Sequence, residues 1–239
     1  MFDVELSAGG VPPWVWVVPM ATVLAAPAAL EGQRSGGSQG GGIDSLVASA
    51  LVQSEEEERE ALLHHADSLA DQRIKAHPAD ADALYWRAVT AGLLAETAGA
   101  REKIRLGMQA MEFAEAALAA DSTHAGAHHV LGRIHAGVKR LGWFTRLIGG
   151  RLGMGPLLEA ASWEDAELHL RRARTLEPEN LTFRLEYAVT LRDMGRDGDA
   201  ARELAELLTR SAEAPLETAA LDRACRILEE LDAGTCPAR

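Results

Sequence analysis

Cysteine is scarce in this 239-residue chain, and so are aromatic residues and, over one long stretch, acids. Cys225 and Cys236 are the two cysteines; they cannot build a metal cluster alone and can make at most one bridge, so they leave the compartment open. Aromatics are 5% of the residues, with two Tyr and four Phe, against much Ala and Leu, a balance that favours helices over sheets. A formal charge of −12 and a pI near 5.1 argue against a nucleic-acid binder, since phosphate neutralisation needs clustered Lys and Arg across the binding face. The hydrolase elbow, the Walker loop, the His-Glu-x-x-His zinc helix and the dinucleotide fingerprint are all missing. Gly149-Gly150-Arg151-Leu152-Gly153-Met154-Gly155-Pro156 follows no strand and lacks a phosphate-loop lysine, so it reads as a loop. No acid, base, nucleophile and orienting group fall into a recognisable order, and the expectation is a non-enzyme without cofactor or metal.

What is present begins with an apolar stretch at 1–30. From Val11 to Leu30 the chain is nearly free of polar groups and ends in small residues around Ala26-Pro27-Ala28, which resembles the apolar core and cleavage site of a secretory signal. Asp3 and Glu5 precede it where export signals carry Lys or Arg, and Pro12, Pro13, Pro19 and Pro27 interrupt the rival reading as a membrane anchor. Export to a periplasm or cell envelope is the expectation; a cytoplasmic location follows if the stretch is not a signal. A Gly/Ser/Gln linker at 31–42 cannot bury a core. The folded domain is expected at 43–232, with a tail at 233–239.

Across 43–232 apolar residues recur at helical spacing, and Pro78, Pro156, Pro178 and Pro215 fall between segments. The pattern predicts helices at 44–53, 55–76, 80–97, 101–120, 123–148, 162–176, 180–194, 197–211 and 215–232. A period is superimposed on them. Tyr187-Ala188, Leu191, Ala200, Leu204 and Leu207, following Pro178, have the spacing of a tetratricopeptide unit, in which small residues let two antiparallel helices approach. The same frame fits Leu131-Gly132, His135, Ala166, Leu170 and Ala173, and also Ala88, Ala110, Ala114 and Ala117, with extra residues inserted between the paired helices. The fold class expected is therefore all-α, a tetratricopeptide-like superhelix of antiparallel helix pairs.

These stretched repeats resemble the regulator of microtubule dynamics family. The resemblance is carried by Leu84-Tyr85-Trp86-Arg87-Ala88, His129-Val130-Leu131-Gly132-Arg133, Trp143-Phe144-Thr145-Arg146, Gly155-Pro156 and Leu176-Glu177-Pro178-Glu179-Asn180. It spans roughly 62–208. It implies helical-repeat architecture and a tethering or binding role, in a family whose eukaryotic members are linked to microtubules, membrane contacts and lipid. The Ala, Arg and Gly richness gives the chain a bacterial look.

Two residue sets are candidates for binding. Side chains of the first helices, Trp86, Arg87, His128, His135, Arg184 and Tyr187, would line a partner groove for a protein or peptide segment. Between Ser122 and Leu158 there is no Asp or Glu, while Arg133, Lys139, Arg140, Arg146 and Arg151 are positive and Trp143 and Phe144 add aromatic weight. That basic amphipathic segment either docks on an anionic membrane surface, an acidic peptide or a lipid headgroup, or packs between stretched helices with its arginines paired to neighbouring acids. The alternative to a peptide scaffold is accordingly a carrier or sensor of lipid or another apolar molecule. His124 and His128, or His128 and His135, have the spacing of a shared metal site, but no Cys or carboxylate lies near them in sequence, and core or groove roles are expected instead. His64-His65 and His169 have no motif around them.

Overall fold

A computed structural model describes residues 42–142, 145–146, 149–212, 215–231 and 236, with only the backbone of residues 215 and 216. The signal-like stretch, nearly all of the linker, the tail apart from Cys236, and Trp143 and Phe144 lie outside the described residues. The helices are α1 (Ile43–Val52), α2 (Glu56–Ala76), α3 (Ala81–Thr97), α4 (Ala100–Ala120), α5 (Ala125–Arg140), α6 (Gly155–Ala160), α7 (Trp163–Leu176), α8 (Leu181–Asp193), α9 (Asp197–Leu207) and α10 (Pro215–Glu230). Among the described residues there is no strand. None of their helices is long and apolar enough to cross a membrane.

Chain order is packing order: α1 with α2, α3 with α4, α5 with α7, and α8 with α9, each pair resting on the next. The turns that join pairs repeat one chemistry. At His77, Asp121 and Glu177 the backbone amide reaches back four residues into the preceding helix, and the amide three residues later donates to that same residue's carbonyl. Each turn then ends on a side chain that accepts from an orphan amide of the following helix: Asp80 from Ala83 at 2.9 Å, His124 from Ala127 at 3.1 Å, Asn180 from Phe183 at 3.2 Å. Ser162 caps α7 in the same way through Asp165, at 2.9 Å. The turn between α8 and α9 depends on Gly195 at φ +75°, with the Arg196 amide donating to the Leu191 carbonyl, a Schellman closure.

Small residues sit where the frame requires them. Ala88, Ala110, Ala114, Ala117, Ala166, Ala173, Ala188 and Ala200 are all buried. The first core gathers Val47, Leu63, Ala66, Tyr85, Val89, Leu93, Val130 and Leu131 from α1 to α5; a second gathers Leu185, Val189, Leu204, Leu207, Ala224 and Leu228 from α8 to α10.

The helix expected over 123–148 is shorter than its sequence pattern. It ends at Arg140, and the chain turns through Leu141-Gly142 into the insertion, where a wide helical turn at Gly150–Met154 breaks at Gly153, φ +97°. Leu141 is extended, φ −64° and ψ 131°, and ends the helix just ahead of Gly142, which an apolar run alone does not reveal. Met154 and Leu157 then fold back onto Val138, with Ile104, Met111 and Ile134 around them.

Candidate functional site

The first helices of the central and last repeats, α5 and α8, meet over a buried ionic hub. Glu186, on the second turn of α8, has a side chain 3% exposed, and its carboxylate accepts from Arg140 Nη1 at 3.2 Å, with Arg223 of α10 at 3.9 Å. Arg140 also donates through Nε to Asp193 Oδ2 at 2.6 Å and through Nη2 to the Thr190 hydroxyl at 3.2 Å. Burial pushes the Glu186 carboxyl up, but the positive field of Arg133, Arg140 and Arg223 outweighs it and holds the group at about 2. His129, 1% exposed and stacked on Phe183 at 4.5 Å between centroids, is driven down to about 3 by burial, with Arg133 adding to the shift.

A second cluster lies between α5 and α7. His128 Nδ1 and His169 Nδ1 are 2.8 Å apart, and the His135 ring stacks on that of His169 at 5.9 Å between centroids. His135 is buried and its Nδ1 accepts from the Ser162 amide at 3.4 Å, while His128 and His169 are half-buried. Burial lowers all three imidazoles, His169 to about 4, where neighbouring His128 and His135 add to the effect.

Comparison with known proteins agrees with this geometry. The sequence profile described as regulator of microtubule dynamics protein 1-3 matches residues 45–232. The chain belongs to that family. Among solved structures it is similar to a thermophilic tetratricopeptide-repeat protein from Thermus thermophilus, at 21% identity and a TM-score of 0.50, covering 80% of this chain and 85% of that one. At that identity the likeness shows the fold alone. No curated protein sequence is significantly similar to the chain.

In this member of the regulator of microtubule dynamics family, the residues expected to line a groove are placed unevenly. Trp86 is half-buried beside Tyr85, 4.9 Å between ring centroids. Arg87 is paired with Asp67 at 2.9 Å and Asp71 at 2.7 Å and lies over the Phe113 ring. Arg184 is nearly enclosed, donating to the Pro178 carbonyl at 2.6 Å and to Glu206 at 2.9 Å. Tyr187 packs against Leu170, Leu191 and Ala200. In the basic segment, Arg140 is held in the hub, Arg133 is half-buried and contributes to its field, and Lys139 and Arg146 are half-buried. His124 caps α5 and reaches Asp82 at 3.2 Å, which removes it from any pairing with His128. Sequence reasoning missed Glu186 and Arg223, because an acid facing an arginine 46 residues earlier has no local signature. It also missed His169, which only the pairing of α5 with α7 brings to His128.

Proposed function

We propose that this chain is a non-enzymatic helical-repeat scaffold that binds a protein segment along the first helices α3, α5 and α8, with Trp86 as its apolar anchor. The observation that carries the reading is the stacked tetratricopeptide-type pairing, which sets those three helices side by side. Arg87, Arg184 and Glu186 are each ion-paired within the fold, so the selectivity falls to the side chains left accessible. Tyrosine and tryptophan anchors dominate such interfaces because they bury large area at low rotamer cost. Part of the same reading is that the domain works outside the cytoplasm. The Cys225–Cys236 disulfide, whose Cα atoms are 5.5 Å apart, supports it, since such bridges persist in oxidising compartments.

The test is peptide selection on the full chain from a displayed library, followed by titration against Trp86→Ala. Binding weakened by about tenfold or more with an unchanged unfolding midpoint supports the anchor; equal affinity removes it. Native mass spectrometry of the same preparation addresses the alternative of an apolar-molecule carrier. Retained mass that extracts into organic solvent would replace the scaffold reading, and a clean protein mass leaves it standing. For docking on an anionic surface, Lys139→Glu is the informative change, because substituting Arg140 would break the hub and not only the surface.

A further inference from the structure

His128 stands on α5 and His169 on α7, 41 residues apart, and their Nδ1 atoms are 2.8 Å from each other. The tautomers follow from the partners. His128 Nε2 is 3.2 Å from the Ser122 carbonyl, which can only accept, so His128 carries its proton on Nε2 and turns a lone pair on Nδ1 toward His169. His169 must then donate its own Nδ1–H to that lone pair. This is the arrangement of a metal-ligating histidine with its outer nitrogen already fixed by a backbone carbonyl, except that a proton occupies the position between the two rings.

We propose that His128 and His169 form a two-imidazole clip for a borderline divalent ion such as Zn²⁺, fastening α7 to α5. The ion replaces the shared proton, which moves through solvent from Nδ1 to Nε2 of His169, so both rings stay neutral and no proton is lost. Zinc–nitrogen bonds of about 2.0–2.1 Å at a tetrahedral angle need the two nitrogens about 3.3 Å apart, so the rings must spread by about 0.5 Å. Both side chains are half-buried, which leaves an approach for the ion and for the waters that complete its shell. Zinc takes the neutral imidazole, and burial disfavours the charged ring at both positions. His135 stays outside the first coordination sphere, because the three imidazoles do not bring three ring nitrogens close enough together to share an ion. The surrounding charge is mixed: Asp165 faces His169 and His135, Glu115 faces His135, and Arg172, His124 and Asp121 face His128. With only two protein ligands the clip is a stabilising or regulatory site and not a closed structural cage.

The experiment uses the full chain, disulfide intact and freed of metal by chelation. Adding ZnCl₂ to at least ten times the dissociation constant is expected to raise the unfolding midpoint by about 3–6 °C. Calorimetric titration should give one ion per chain. His128→Gln and His169→Gln should each abolish the rise, and His135→Gln should keep it. No rise, or a rise that survives both substitutions, overturns the clip; the second result would locate the ion elsewhere on the chain. If either variant fails to fold, ¹⁵N NMR of the wild-type imidazoles decides. Zinc-induced shifts at Nδ1 of His128 and His169 support the site, and unmoved Nδ1 resonances refute it.

Discussion

Gly132 shows how narrowly the pairing of α5 with α7 is set. A Cβ at that position would lie 2.5 Å from Leu170 Cγ and 3.0 Å from the Leu170 backbone nitrogen, so relief cannot come from a side-chain rotation alone. Alanine is the better helix former by about 1 kcal/mol, yet overpacking of this kind costs about 1–3 kcal/mol and here requires backbone movement. Gly132→Ala is therefore expected to destabilise by a net of about 1 kcal/mol, read as a lowered midpoint in urea. Gly137, on the same helix, has no heavy atom within 4 Å of a built Cβ, and Gly137→Ala should be neutral or stabilising. Equal effects at both positions would mean that helix propensity, not the α5–α7 approach, governs the pair. Gly126 is a further tight position, 2.6 Å from the Tyr85 ring, but there the neighbour is a side chain.

At the scale of elements, the insertion between α5 and α7 is held by a small apolar contact. Leu157 is 5% exposed and, with Met154, closes over Val138 and the α4 side chains Ile104 and Met111. Leu157→Ala should cost about 2 kcal/mol and raise hydrogen exchange across 150–160 while α8 and α9 keep their protection. Loss of protection throughout would make the insertion part of one cooperative core. The elements themselves were legible in the sequence to within a few residues, because turn chemistry punctuates the chain: Pro78, Ser162, Pro178 and Gly195 mark real boundaries. Two elements were misread, α6, where a loop was expected over Gly149–Pro156, and α5. Its apolar pattern runs on past Arg140, but the backbone turns extended at Leu141 and ends the helix there. The buried alanines were legible for a related reason, since a small residue at a fixed repeat position has one geometric meaning. The site was less so. Arg87, Arg140 and Arg184 look like surface cations in the sequence, and their acids, Asp71, Asp193 and Glu206, come from other helices.

Taken as a whole molecule, the chain keeps a net charge of −12 yet concentrates positive charge inside, around Glu186. Folding holds that carboxyl at about 2, below its ordinary 4.5, so the unfolded chain takes up the proton first as pH falls. The stability it contributes is therefore fully present above the ordinary carboxylate value and is lost on acidification toward about 2. His129 acts in the same direction from a higher pH, because its imidazole, ordinarily at 6.5, is held at about 3 and resists protonation in the fold. Removing one partner from a buried ion pair costs about 3–5 kcal/mol, so Glu186→Gln should be strongly destabilised at pH 7. Because glutamine does not titrate, the wild type alone loses the Glu186 contribution between about pH 7 and pH 3, and its advantage over Glu186→Gln should shrink by about 2 kcal/mol. Urea unfolding of both proteins at several pH values measures that difference directly. A constant gap would place the carboxyl outside the arginine field and leave the surplus charge of Arg133, Arg140 and Arg223 without its internal partner.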